Sequence, residues 1–253
     1  MYVRHEQEVV DQVLFLAAAG VPKLRIARQL GLAPATVRRW VRRDGVRRTH
    51  PPPCRDDWCP MRDDLDPVAY AYMLGIYLGD GHIVRTLRTY RIEVSCDPKY
   101  PGIIDEITTM LGRTLPHNKV LHRMRPSVVL VGCYSNHLPC LFPQHGPGLK
   151  HLRPIVLTPW QWELAIKSEP ASFVRGLVHS DGWRGVNRVR GANGGRYEYP
   201  RYMFSNRSDD IRGLFVEACR ELGVNARRMN RWNVSVADAA GVRRLDEFVG
   251  PKY

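Results

Sequence analysis

Two aspartates carry the chemistry that this sequence could perform. Asp80 stands next to last in Met73-Leu74-Gly75-Ile76-Tyr77-Leu78-Gly79-Asp80-Gly81, and Asp181 holds the same place in Val174-Arg175-Gly176-Leu177-Val178-His179-Ser180-Asp181-Gly182. Both stretches predict the last turns of an apolar helix, with small residues four apart (Gly75 and Gly79; Gly176 and Ser180). Positions i and i+4 share a helix face, so each helix offers a groove in which a second backbone can lie close. The Gly after each Asp reads as a helix stop. A carboxylate at a helix C-terminus opposes the dipole, at a cost of about 0.3–1 kcal/mol. If the two helices pair, the carboxylates also face each other, which is tolerable when a cation lies between them. Mg2+ prefers such hard oxygen ligands. Metal ions that bridge an attacking water and a leaving oxygen can hydrolyse a phosphodiester without a strong protein base. The plainer reading is two helix stops with no metal. His82, His179, Lys150 and Lys167 are further candidates for positioning water or phosphate.

The elements around these residues repeat. Past Gly81, Tyr90 to Val94 alternates as a strand, with Ile92 and Val94 on one side and Arg91 and Glu93 on the other. Pro101 to Leu111 predicts a helix, Val120 to Met124 and Val128 to Tyr134 a hairpin, and Asn136 to Phe142 a short closing helix. The second motif helix, Ala171 to Ser180, is followed by the same series: strand material at Tyr197 to Ser205, a helix from Ile211 to Leu222, a hairpin of Ala226 to Met229 with Asn233 to Val236, and a closing helix from Ala240 to Val249. Val94-Ser95 leads to a helix closing at Leu111-Gly112, and Phe204-Ser205 to one closing at Leu222-Gly223, as internal duplication would give. The stretch Trp183 to Gly195, rich in Arg, Asn and Gly, reads as a flexible tip that touches DNA through Arg184 and Arg188. Between the repeats, His145 to Pro154 combines glycines with Lys150, His151 and Arg153; phosphate contact by Lys150 and Arg153 and a structured basic linker both fit. Trp160 and Trp162 are expected to anchor the second repeat's core.

This pair of nine-residue stretches resembles the LAGLIDADG motif of the homing endonucleases. Gly at the third position, a small residue at the seventh and Asp-Gly at the end match in both copies, while Arg175 and His179 are polar where that family is often apolar or acidic. The resemblance implies a pseudo-twofold monomer that cleaves double-stranded DNA, with Asp80 and Asp181 as catalytic metal ligands.

Upstream, Val9, Val10, Val13, Leu14 and Leu16 have helical spacing to about Gly20, and Pro22 opens a second helix carrying Leu24, Ile26, Ala27 and Leu30. Gly31-Leu32 breaks it before a basic third helix. Ile26 to Trp40 resembles the helix-turn-helix of resolvases and bacterial regulators, with Ala27, Gly31, Val37 and Trp40 at the packing positions. Ala35, Thr36, Arg38, Arg39 and Arg42 are left to face a DNA groove. A small helical packing domain with a solvated basic face would show the same pattern. Thr49-His50-Pro51-Pro52-Pro53 reads as a stiff linker. Cys54 and Cys59 follow without a clean second pair to complete a zinc site, so they read as free thiols.

The fold class expected is α+β: a duplicated α-β-β-α-β-β-α saddle at residues 67–148 and 149–253, behind a helix-turn-helix at 1–48 and a linker at 49–66. Composition agrees. The 253 residues carry a formal charge of +13, which calls for a polyanionic partner, and a hydrophobic fraction of 44% can fill a core. Six irregularly spaced cysteines do not make a disulfide framework. Glu6, Glu8 and Asp11 interrupt the first apolar pattern, so no secretory signal is expected, and Ala69 to Leu78 is too short to cross a bilayer. A cytosolic protein of the bacterial nucleoid is expected. A helix-turn-helix regulator that keeps the saddle only for binding DNA is the second reading.

Overall fold

The computed structural model describes residues 7–42, 54, 59–190 and 194–253, and it divides into two compact units, residues 1–52 and 53–253. The expected linker at Thr49 to Pro53 lies outside the described residues.

The first unit holds three helices: α1 (Gln7–Ala18), α2 (Lys23–Gln29) and α3 (Pro34–Arg42). Val10, Val13, Ile26, Ala27, Leu32 and Val37 are buried, with Trp40 packed partly against them. Gly20 and Gly31 turn the chain at φ 80° and 64°, a region that only glycine enters without steric cost. Gly31 is therefore an exposed turn residue and not a packing position.

The second unit contains two four-stranded antiparallel sheets. α4 (Pro67–Leu78) starts where Asp66 caps it, accepting from the Ala69 N–H at 3.0 Å, with Pro67 in the first turn. It leads into β1 (Gly81–Arg85), β2 (Tyr90–Cys96), α5 (Pro101–Thr114), β3 (Leu121–Arg125), β4 (Val128–Ser135) and α6 (Leu138–Leu141). After α7 (Pro159–Trp162) and a π-helical turn at Glu163–Ser168, the same order recurs. It runs α8 (Pro170–Asp181), β5 (Gly182–Arg190), β6 (Arg196–Ser205), α9 (Asp209–Glu221), β7 (Arg227–Arg228), β8 (Asn233–Val236) and α10 (Ala239–Asp246). The sheets are ordered β1-β2-β4-β3 and β5-β6-β8-β7, so the two share one strand order. Ile92, Val94, Val129 and Val131 of one, and Tyr202, Phe204, Val234 and Val236 of the other, lie buried against the helices. Among the described residues no helix is long and apolar enough to cross a membrane.

Several expectations are corrected. β1 follows α4 directly, and its turn into β2 is closed by Thr86, whose N–H and hydroxyl both donate to the Thr89 carbonyl. α5 runs past Gly112 to Thr114. The stretch from Trp183 is a strand and not a loop, paired with β6 from Gly182↔Phe204 to Arg190↔Arg196. Trp160 packs against Tyr70 of α4 at 5.1 Å between ring centroids, so it joins the repeats and does not serve the second alone.

Candidate functional site

α4 and α8 touch through backbone. A Cβ added at Gly75 would come 2.5 Å from the Phe173 carbonyl oxygen, and one at Gly176 would collide with the Tyr72 carbonyl. The small-residue spacing is thus a packing requirement. Gly81 and Gly182 are not left-handed helix caps. Gly182 is extended at φ −98°, and a side chain at Gly81 or Gly182 would lie 2.7 or 2.6 Å from the Cα of Tyr77 or Val178. The two departures from the motif meet one partner on the flank of the pair. Arg175 grips Glu106 of α5 at 2.6 and 2.8 Å, and His179 lies 3.5 Å from it while bonding Tyr72 Oη at 3.0 Å. Burial holds His179 down to about 4, and the ring belongs to the helix packing.

The helix pair delivers its two aspartates to a shared place. The Asp181 carboxylate sits 3.2 Å from where a Gly79 side chain would begin, beside the end of α4. Asp80 is exposed to solvent on one side, yet the protein packed around it and then the charge of Asp181 push its carboxyl up to about 6. Asp181 is raised by burial, offset by Asn206, whose amide donates to it at 2.6 Å. The ladders equate Val94 opposite Gly81 with Phe204 opposite Gly182, so Cys96 occupies in the first repeat the position of Asn206 in the second. A thiol is a far weaker donor than an amide, so Asp80 lacks the hydrogen-bond relief that Asn206 gives Asp181.

Two lysines close the site. Lys150 Nζ donates to the Tyr77, Gly79 and Gly81 carbonyls at 2.5, 2.5 and 2.8 Å, at the negative end of α4. Lys252 Nζ donates to the Ser180 carbonyl at 2.7 Å, in the last turn of α8. Burial lowers both ammonium groups, Lys150 to about 8, against the attraction of both carboxylates. One hollow holds Asp181 with Lys150, His151, Asn206 and Arg207, and a second holds Asp80 with Ser95, Cys96, Lys99 and Lys252. Lys252 was missed in the sequence, although Gly148-Leu149-Lys150 and Gly250-Pro251-Lys252 repeat one pattern with both glycines at positive φ.

Other expected contacts are redistributed. Arg153 is spent on the carbonyls of Gln144, Pro147 and Gly148, where it braces the loop. Lys167 pairs with Glu221 at 2.7 Å. Arg184 and Arg188 lie on the side of β5 that faces the helices. Arg184 forks onto Asp246 of α10 at 2.6 and 2.8 Å, and Arg188 pairs with Glu198 at 2.8 Å. With a two-residue period, the opposite face of that sheet carries Trp183, Tyr197, Tyr199, Arg201 and Arg227. On the first sheet the corresponding face carries His82, Arg91, Arg123 and Arg125, with buried Glu93 paired to Arg91 at 2.6 Å and to Arg123. In the first unit, Ala35, Arg38, Arg39 and Arg42 are exposed and Thr36 is half-buried. Cys54 and Cys59 are not loose in a linker: Cys59 is buried in the second unit's core, and both thiols meet His137 and Cys140.

No family model matches this sequence, and no curated protein matches it. The solved structures that it is similar to are LAGLIDADG homing endonucleases. I-DmoI in complex with DNA and Mn shares 14% identity over 74% of this chain and 98% of its own, with a TM-score of 0.49. The LAGLIDADG meganuclease I-AabMI bound to uncleaved DNA shares 12% over 71% and 82%, with a TM-score of 0.44.

Proposed function

We propose that this protein is a metal-dependent endonuclease of the LAGLIDADG kind that cuts double-stranded DNA. The observation that carries the reading is the meeting of Asp80 and Asp181 at the ends of two helices packed through glycines, where the charge of Asp181 adds to burial in raising the Asp80 carboxyl. The donor set fits a divalent cation of the Mg2+ type: both side chains offer hard oxygens, and charge repulsion between them favours a cation in their midst. Such an ion supplies Lewis-acid stabilisation of the charge that builds on a phosphate during hydrolysis. The chain's own groups do the rest. Lys150 uses its three protons on carbonyls and acts as a fixed positive charge beneath the backbone of the duplex. Lys252, bonded to Ser180, keeps protons to aim at a phosphate oxygen from the other side.

In this reading the two sheets form one basic saddle, and DNA lies against the faces bearing Arg91, Arg123 and Arg125 and Arg201 and Arg227. Aromatic Trp183, Tyr197 and Tyr199 are interleaved there. α2 and α3 act as a helix-turn-helix that adds Ala35, Thr36, Arg38, Arg39 and Arg42 to the contact, and the protein works as a monomer. One observation favours the second reading, a regulator that binds without cutting: two ammonium groups already balance two carboxylates. A plasmid library incubated with the protein, with and without Mg2+, beside Asp80→Asn separates the readings. Mg2+-dependent double-strand breaks that the variant does not make support the nuclease; equal DNA retention with no scission in any lane supports the regulator.

A further inference from the structure

The geometry points to a structural zinc ion held by Cys54, Cys59, His137 and Cys140. The four ligand atoms lie within 4.8 Å of one another. Cys54 Sγ is 3.4 Å from Cys59 Sγ, 3.0 Å from Cys140 Sγ and 2.9 Å from His137 Nδ1; Cys59 Sγ is 3.1 Å from Cys140 Sγ and 3.4 Å from His137 Nδ1. With Zn–S near 2.3 Å and Zn–N near 2.0–2.1 Å, the edges of a zinc tetrahedron come to about 3.5–3.8 Å. An outward relaxation of a few tenths of an ångström admits the ion.

Other accounts of the cluster are weaker. A disulfide uses two sulfurs and leaves the third, and the separations of 3.0–3.4 Å are far from a bond of about 2.05 Å. Plain packing would gather three thiols and an imidazole from segments 83 residues apart with no return for aligning four donor atoms on one point. The pairs are Cys-x4-Cys and His-x2-Cys, spacings that zinc sites use. Sulfur and imidazole select zinc, whereas the oxygens of Asp80 and Asp181 suit Mg2+, so the two sites do not compete. Four protein ligands leave no open position, which makes the role structural. The ion pins the strand of chain before α4 to α6, where Arg62 also donates to the Cys140 carbonyl at 3.4 Å. Part of the folding free energy of the first repeat then comes from the metal.

Metal content of the full chain, purified without a metal-affinity step and dialysed against EDTA, tests this. One zinc per chain is expected, retained in Asp80→Asn and lost in Cys59→Ser and His137→Ala, with the melting temperature falling when a strong thiol-competing chelator strips the ion. Should those variants fail to fold, the wild-type chain refolded with Co2+ decides: tetrahedral thiolate ligation gives an intense visible and near-ultraviolet spectrum. Zinc-free protein whose Co2+ form lacks those bands overturns the proposal, as does zinc that is lost with Asp80→Asn instead.

Discussion

Asp80 and Asp181 occupy equivalent positions in unlike surroundings: Asn206 donates to Asp181, while Cys96 stands in the equivalent place in the first sheet. The folded-state value of Asp80, about 6, lies above its ordinary 3.8. A carboxyl raised on folding binds its proton more tightly in the native state, so its contribution to stability is greatest below the lower value and is lost as pH rises through the upper one. Asp80→Asn should therefore raise the melting temperature at pH 7.5 and leave it unchanged near pH 4, as thermal melts at the two pH values will show. This asymmetry was not legible from the motif alone. Both Asp-Gly endings look alike, and the Cys96–Asn206 equivalence needs the strand register.

At the scale of elements, the glycine pattern of α4 and α8 was readable because close backbone contact leaves no alternative residue. Gly176→Val would drive a branched side chain into the Tyr72 carbonyl and should cost about 2 kcal/mol or more, measured as a fall in the urea midpoint. The alternation in β2 and β4 was equally plain. β1 was hidden because its turn is made by threonine hydroxyls, without the glycine, proline or asparagine that marks most hairpins. Arg184 and Arg188 mark the limit of composition, which makes β5 basic, whereas the register tells which face each arginine takes. Arg184→Ala should cost about 0.5–1 kcal/mol of stability with little change in DNA affinity, while Arg227→Ala should weaken DNA binding and leave the melting temperature nearly unchanged. Filter-binding beside thermal melts distinguishes the two. His137 and Cys140 were passed over because they lie some 80 residues from Cys54 and Cys59, beyond the reach of any spacing rule.

For the molecule as a whole, the charge of +13 is the plainest message of the sequence, and its placement the least. Exposed Arg38, Arg39 and Arg42 on α3 form one basic edge, while Arg153, Arg175 and Arg184 are consumed internally. Arg39→Ala should lower duplex affinity and flatten its dependence on log salt by about one unit, if α3 meets phosphate; affinity titrations from 50 to about 300 mM salt give the slope. An unchanged slope would place the DNA contact on the second unit alone.

The central claim is that Asp80 and Asp181 jointly hold one kind of divalent ion over a duplex. Mn2+ binding to the protein–DNA complex, followed by electron paramagnetic resonance across pH, reads it directly. Mn2+ should be bound by the wild type, bound more weakly as the pH falls and the carboxylates protonate, and lost in both Asp80→Asn and Asp181→Asn. Mn2+ affinity equal in the wild type and both variants would contradict it.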